Sequence, residues 1–406
     1  MEVRDILKIA YENVPYYNNL FNEYNVDIET NDLSKIPFTT KDAIRKYGIL
    51  NFLNKKHLDD EYNILDKDNI VFTTSSGTTG EPMDVLWLKK DYLSSILFHW
   101  IYRLKKFYVT PEDIFFSSQR FKNNKNAIIE KSKSEYAINT DCISEELLNN
   151  IFIALNEKKP KWLMIQPSIL YLLAEYSLKN NITFPDSIKY IEYFSETLLP
   201  FYRNKIEAVI KCPTSNMYGC SEINGIAYEC ENKNLHIIDK NVLVEIIKKN
   251  KSIKNNSIGN VCVTSLHNSV MPIIRYRLND KATISSKKCS CGKTTPIINL
   301  INTRMPEFVV FDDLSICSLG KIYFPINRLD FIKIQSNDII FYLRRFSVEE
   351  YNIIFDISTC SDMLRWSVTK AFKNIMNLYG IKCKFHFDFA SKIDKNLQQG
   401  IMRFQP

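Results

Sequence analysis

Asp68 to Pro82 reads D-N-I-V-F-T-T-S-S-G-T-T-G-E-P. A short apolar, β-branched run breaks into small hydroxyl and glycine residues and closes on a proline, so the sequence predicts a strand running into a loop. The stretch Thr73-Thr74-Ser75-Ser76-Gly77-Thr78-Thr79-Gly80 offers hydroxyls and backbone N–H groups in a turn flexible enough to wrap anionic oxygens, and a polyphosphate is its natural guest. It is not a Walker A loop: neither G-x-x-x-x-G-K-[ST] nor a lysine directly after the second glycine is present. Outward from this loop, helical spacing follows in Tyr92 to Leu104. Strand and helix then alternate through Trp162 to Ile165, Ser168 to Lys179 and Tyr190 to Phe194. That alternation predicts an α/β layered sheet.

Only 10 of the 406 residues are glycine, against a usual share of about 7%, and Gly77 and Gly80 share the one short loop. A chain this poor in glycine keeps it where left-handed backbone or close approach is required. The 45% hydrophobic and 24% charged content is that of a globular protein large enough for two to three domains, and no run of about 18 apolar residues predicts a membrane span. The net charge of +7 is spread along the chain with no basic block, which argues against nucleic-acid binding. Val3, Ile6, Leu7 and Ala10 at helical spacing read as an amphipathic helix rather than a signal peptide, so a cytoplasmic location is expected. Ten cysteines in such a chain favour reduced thiols and a metal site over a disulfide framework.

From about Asn241 the pattern turns to closely spaced strands, at 242–247, 260–266 and 272–277, which predicts a β-rich subdomain. Beyond Arg304, strands are expected at 339–343, 351–357 and 382–389, with a helix at 362–379 stopped by Gly380. The expected division is a large core over 1–303 and a small α+β domain over 304–406.

Further motifs follow in order: A-Y-E-N-V-P-Y-Y at 10–17, I-P-F-T-T-K at 36–41, S-S-G-T-T-G-E-P at 75–82, Phe194-Ser195-Glu196-Thr197, Tyr218-Gly219-Cys220-Ser221-Glu222, and Arg275-Tyr276-Arg277-Leu278-Asn279-Asp280. Together they resemble the adenylate-forming enzymes, in the branch of phenylacetate-CoA ligase and the CapK-like proteins. The resemblance implies a multi-subdomain N-terminal domain with a β-rich part and a small C-terminal domain. It also implies activation of a carboxylic acid by ATP and Mg²⁺, with CoA, a carrier-protein thiol or an amine as acceptor. Thr74 to Gly80 would cradle the phosphates, Ser195, Glu196 and Thr197 would hold the adenine, and Tyr218 and Gly219 would lie against it. Ser221 would meet the α-phosphate, Glu222 would hold Mg²⁺, and Asp280 would accept the ribose hydroxyls. A carboxylate is acceptor-only, which suits both a cis diol and a hard cation. Phe116, Gln166, Phe194 and Met217 would line an acid pocket, and their aromatic content favours a flat or aromatic acid. Capsule or natural-product biosynthesis is the expected setting, and a monomer or homodimer the expected assembly.

The chain departs from the resembled pattern in several places. Arg304 matches a hinge arginine, but Thr303 replaces its glycine and Met305-Pro306 stiffens the hinge on its other side. Asn279 replaces a glycine, and Glu81 stands where many relatives carry lysine. At Q-Q-G-I-M-R-F, Ile401 occupies the place of the lysine that bridges carboxylate and α-phosphate. Lys395, Lys392 or Arg403 are the cations that could substitute. The departures keep two other readings open: a catalytically degenerate nucleotide-binding scaffold, and transfer of the adenylyl group to a ligand hydroxyl.

Cys230, His236, Cys289 and Cys291 form the remaining set, read from E-C-E-N-K-N-L-H and K-K-C-S-C-G. Three thiolates and an imidazole suit a closed tetrahedral Zn²⁺ site, with Cys220 and Cys262 as substitutes for one ligand.

Overall fold

The computed structural model describes residues 1–29, 33–74, 83–119, 121, 126–140, 145–196, 198, 200–249, 251–253 and 256–301, and beyond these the backbone of six strands. Helix α1 (Val3–Asn13) forms where expected. Glu2 and Asp5 cap its start reciprocally, and Ile6, Leu7 and Ala10 lie on its buried stripe. Helices α2 (Pro15–Glu23) and α3 (Lys41–Tyr47) follow, the latter started by the Thr40 hydroxyl, which accepts from the Ala43 N–H at 3.1 Å. Strands β1 (Ile70–Thr74) and β2 (Asp84–Leu88) pair as an antiparallel hairpin whose open end is Thr74 opposite Asp84. The residues between them, 75–82, lie outside the described residues, as do Thr197, Arg304 and Lys395.

Helix α4 (Lys89–Phe107) is ended by Tyr108 in the left-handed conformation. Then come β3 (Phe115–Gln119), β4 (Ile128–Glu130), β5 (Glu135–Asn139), α5 (Glu145–Lys158), β6 (Trp162–Ile165), α6 (Pro167–Asn180), β7 (Tyr190–Tyr193), α7 (Pro200–Val209) and β8 (Thr214–Cys220). Strands β8, β7, β6, β3 and β5 lie side by side and parallel, with β4 antiparallel at the edge. This is the expected α/β layer: apolar strands covered by helices, with Leu163, Ile165 and Ile191 packing against Leu148, Leu155, Leu170, Leu173 and Ile206.

The β-rich part comprises β9 (Asn224–Glu229), β10 (Leu235–Ile237), β11 (Val242–Lys248), β12 (Lys251–Ile253), β13 (Gly259–Ser265), β14 (Tyr276–Ser285) and β15 (Ile297–Ile301). It continues the same sheet, which has 13 strands in the order β12-β11-β13-β14-β15-β10-β9-β8-β7-β6-β3-β5-β4. The N-terminal helices and the β1–β2 hairpin cover this antiparallel half, where Leu7, Tyr17, Phe52 and Trp87 share a core with Ile226, Val261 and Ile273.

One expected strand differs. Of 272–277, only Tyr276 and Arg277 are in a strand. Ile273 and Ile274 are apolar because they are buried, and the backbone donors here go to side chains: Ile274 N–H to the Tyr17 hydroxyl (3.2 Å) and Arg275 N–H to the Thr264 hydroxyl (3.0 Å).

The C-terminal strands are β16 (Phe308–Val310) paired with β17 (Ile316–Ser318), and a separate sheet of β18 (Ile339–Ser347), β19 (Glu350–Asp356), β20 (Lys384–Ala390) and β21 (Gln398–Met402) in the order β20-β19-β18-β21. The expected helix at 362–379 and the boundary at Arg304 fall outside the described residues. Ile401 lies in β21, at the edge of that sheet, opposite Ile340.

Candidate active site

The parallel strands β3, β6, β7 and β8 bring their carboxyl ends to one edge of the sheet. In open α/β sheets that edge is where ligands bind. Ser118, Gln166, Phe194 and Met217 to Glu222 stand at or just beyond those ends, so residues far apart in sequence meet there. The Gln166 N–H donates to the Ser118 hydroxyl at 2.9 Å.

The centre of this edge is the tight turn from β8 into β9. A Cβ on Gly219 would lie 2.0 Å from the Asn224 carbonyl oxygen, so only glycine fits the crossing. Asn224 itself is left-handed (φ 67°). Two tyrosine–carboxylate pairs then interlock β8 with β14. The Tyr218 hydroxyl donates to Asp280 at 2.8 Å, and the Tyr276 hydroxyl donates to Glu222 at 3.0 Å. Tyr276 and Asp280 are four residues apart on one strand and share a face. Both carboxylates are buried. Burial, and then the Glu222 charge, raise the Tyr276 hydroxyl well above the ordinary tyrosine value, so it stays protonated and donating.

The same turn is stitched to the β1–β2 hairpin. The Ser221 hydroxyl donates to the Thr74 carbonyl (3.0 Å), the Thr73 hydroxyl to the Ser221 carbonyl (3.3 Å), and the Thr74 hydroxyl to Asp84 (3.0 Å). Thr73 and Thr74, at the open end of the hairpin, are therefore held at the turn that carries Ser221 and Glu222.

Other sequence-derived residues are placed differently. Phe116 is fully buried and stacks on Tyr136 inside the second core, so it does not line an acid pocket. Its strand has helices on that side, and a large apolar ring is drawn into them. Glu196 is buried with its carboxylate on the first turn of α6, accepting from the Ser168 N–H (3.1 Å) and hydroxyl (2.8 Å). It serves a helix start, where a negative charge is favoured. Ser195 is exposed and left-handed (φ 69°), and Phe194 and Met217 are half-buried.

Sequence reading assigned no role to Tyr276 or Asp84. It also missed that the Arg275 guanidinium ties the 34–38 segment to the sheet. That group donates to Glu245 from Nε (3.0 Å) and Nη2 (2.8 Å), to the carbonyls of Ser34 and Ile36, and lies over the Phe38 ring. Its burial between acceptors was the signal, and the sequence does not show burial of an arginine.

Cys230, His236, Cys289 and Cys291 come together between the end of β9, β10 and the segment before β15, with all four candidate ligand atoms within 4.8 Å of one another. Cys230 and Cys289 sulfurs are 3.9 Å apart, and Cys291 Sγ is 3.4 Å from His236 Nε2. Tetrahedral Zn–S and Zn–N bonds imply edges of about 3.5 to 3.8 Å, so the set fits that ion. The His236 Nδ1 lies 3.0 Å from the Thr295 carbonyl, which directs Nε2 toward the sulfurs. The Cys291 N–H, and then His236, pull the Cys289 thiol down to about 5, while burial pushes Cys230 up to about 11. Cys220 and Cys262 are not members of the cluster.

The chain matches no family model. It is 21% identical over 327 residues to phenylacetate-coenzyme A ligase of Thermus thermophilus, covering 77% of this chain and 71% of that protein. It is 24% identical over 398 residues to Protein CapK of Staphylococcus aureus, covering 94% and 82%. Among solved structures, 2-hydroxyisobutyryl-CoA ligase in complex with 2-HIB-AMP and CoA has a TM-score of 0.62 at 15% identity, covering 97% of this chain and 86% of that one. The same ligase in its postadenylation state gives 0.59 at 13% identity, with 97% and 85% covered. Two relatives that each cover most of the chain, and a fold shared with a CoA ligase along 97% of it, converge: the chain is similar to phenylacetate-coenzyme A ligase and Protein CapK, and its fold is that of 2-hydroxyisobutyryl-CoA ligase.

Proposed function

We propose that the protein activates a carboxylic acid with ATP and transfers the acyl group to a thiol, with CoA the leading acceptor. One acid oxygen attacks the α-phosphorus in line, the bond to the β-phosphate oxygen breaks, and pyrophosphate leaves. The acyl adenylate is then attacked at its carbonyl carbon by the acceptor thiolate, and AMP departs. The protein's share is positioning and electrostatics.

The observation that carries this reading is the stitched turn. Ser221 is fixed against Thr74, the last described residue before the Ser/Thr/Gly segment, Glu222 is held by Tyr276, and Asp280 is held beside Tyr218. In that arrangement residues 75–80 would receive the leaving phosphates, Ser221 the α-phosphate, and Asp280 the ribose. Glu222 offers the hard oxygen that Mg²⁺ prefers, and Tyr276 orients it; when bound, the ion neutralises phosphate charge. Phenylacetate-coenzyme A ligase and 2-hydroxyisobutyryl-CoA ligase, by their names, act on acids and CoA. That supports the acceptor, and a capsule or natural-product pathway remains the proposed setting. The Cys230, His236, Cys289 and Cys291 set would hold one Zn²⁺. A closed four-ligand site leaves no open position, so its role is to fasten β9, β10 and the 289–291 segment, apart from the reaction.

Acid-dependent exchange of pyrophosphate into ATP across a panel of acids, with the adenylate sought by mass spectrometry, tests the reading. No exchange with any acid, in protein that binds ATP, would favour the scaffold alternative. Ile401 is the observation behind that alternative. If its place is that of the resembled lysine, Ile401→Lys raises adenylate formation by about ten-fold or more. An unchanged rate would place the working cation elsewhere, with Lys395 the first candidate.

A further inference from the structure

Helix α4 packs inward through its aromatic residues, Tyr102 among them, and through a buried polar stripe, and leaves aliphatic residues in solvent. Asp91, Ser95, His99 and Arg103, spaced four apart, are all buried, while Leu93 (53%), Leu97 (55%), Ile101 (42%), Leu104 (51%) and, just past the end, Tyr108 (76%) are exposed. At about 100° per residue the centres of these two stripes lie about 180° apart on the helix. A surface helix ordinarily presents the opposite arrangement.

The orientation is fixed by the buried stripe. Asp91 accepts from the Ser269 N–H (3.0 Å), and the Ser95 hydroxyl accepts from Asn224 Nδ2 (2.6 Å). Arg103 forms a two-pronged pair with Glu192 (Nε to Oε2 2.9 Å) beneath the rings of Trp100 and Trp162. Rotating the helix to bury its leucines would strand a buried carboxylate and break that ion pair, a large loss for a fully buried pair. The apolar ridge therefore faces outward in the folded chain, and its 4-4-3-4 spacing is that of a helix-packing seam.

The charges around the ridge identify what fits on it. Lys89 and Lys105 flank it on opposite sides by about 80°, and Lys90 lies in line at its start. Lys89 and Lys90 sit in the first turn, where the helix dipole disfavours cations, so their placement works against the helix itself. The one acid in the helix, Asp91, points inward. The same helix of a second copy would bring three more lysines and no outward carboxylate to meet them, and a ridge about 80° wide is narrower than the broad apolar face of a membrane-surface helix. We propose that the outer face of α4 docks an amphipathic helix of a partner protein whose apolar ridge is flanked by carboxylates. This surface is independent of the adenylation reading.

The test uses the full-length protein and two labelled 20-residue helical peptides, each with leucines at 4-4-3-4 spacing, one flanked by glutamates and one by lysines. Fluorescence anisotropy in 50 mM salt should show the glutamate peptide binding at least about ten-fold tighter, an advantage that fades in 500 mM salt. The variant K89E/K90E/K105E should reverse the preference. Leu97→Asp with Leu104→Asp should weaken binding by more than ten-fold at an unchanged melting temperature, because both side chains are exposed. Equal binding of the two peptides, or none, overturns the proposal. So does self-association at micromolar concentration that Leu97→Asp dissolves, which would assign the face to a second copy. Sedimentation with phosphatidylglycerol vesicles, lost in Leu97→Asp and without peptide discrimination, would assign it to a membrane.

Discussion

Gly225→Ala is the smallest change that should strain the candidate active site from behind. A methyl built on Gly225 lies 1.8 Å from His99 Cε1, 2.7 Å from Nε2 and 2.8 Å from Nδ1. Comfortable carbon contacts begin at about 3.5 Å, so the imidazole must retreat by about 1.7 Å. It has little freedom to do so, being buried on a helix pinned four residues before by Ser95 and four after by Arg103. Overpacking of this kind costs about 1 to 3 kcal/mol, and contact with three ring atoms places the expected loss in the upper half of that range. Gly225 lies three residues after Glu222, so part of the strain reaches the turn that carries Glu222. A double-mutant cycle isolates the contact: His99→Ala alone leaves a cavity, and in the double variant the methyl added at position 225 partly fills it. The two substitutions should therefore couple by about 2 kcal/mol, measured from urea unfolding of the four proteins. Additivity within about 0.5 kcal/mol would mean that His99 and Gly225 are not in contact, and would refute the packing of α4 on this hairpin.

His99 also makes stability depend on pH. Burial, and then the Arg103 charge, hold its folded value at about 4, below its ordinary 6.5, so between those values the unfolded chain takes up a proton that the folded chain refuses. Stability should be fully present above pH 6.5 and fall by about 3 kcal/mol on acidification to pH 4; a His99→Gln variant whose profile has the same slope would exclude this origin. Metal analysis should return one zinc per chain, and chelation or Cys289→Ser should lower the melting temperature by several degrees; a zinc-free protein of unchanged stability would remove the site. Asp280→Ala should weaken a nonhydrolysable ATP analogue by about ten-fold or more in calorimetry, whereas Glu222→Ala should chiefly slow turnover; equal affinity of wild type and Asp280→Ala would displace the ribose site.

Much of this architecture is legible in the residues. Strand β6 is found at 162–165 as read, because a short apolar run between polar boundaries leaves one solution in an α/β layer. Strands β11 and β13 are likewise within a residue or two of their expected places. The run 272–277 misled because burial alone, without alternation, looks the same whether the chain is a strand or an irregular segment bonded to side chains. At the site, residue identity showed which groups could do chemistry but not which were already engaged. Glu196 looked like a ligand contact and is spent on the start of α6. Tyr276 was visible inside R-Y-R, yet its bond to Glu222 depends on β14 lying across from the turn, a pairing that sequence order does not encode.

Helix α4 shows where such reading stops. Its periodicity is plain over residues 92 to 104, but periodicity states only which side chains share a face, and a helix with aliphatic residues on one face and polar and aromatic residues on the other can be set down either way. What decides is the partner of the polar face. Asn224 offers a donor to Ser95, Glu192 a fork of acceptors to Arg103, and Gly225 a gap the width of an imidazole. These sit on β7 and β9, flanking the very strand that carries the Tyr218 to Glu222 motif. The hairpin thus gains a buried polar bed from α4, next to the turn that carries Ser221 and Glu222. The apolar stripe left in solvent follows from that choice, and a selected use for the stripe would explain why leucines rather than polar residues fill it.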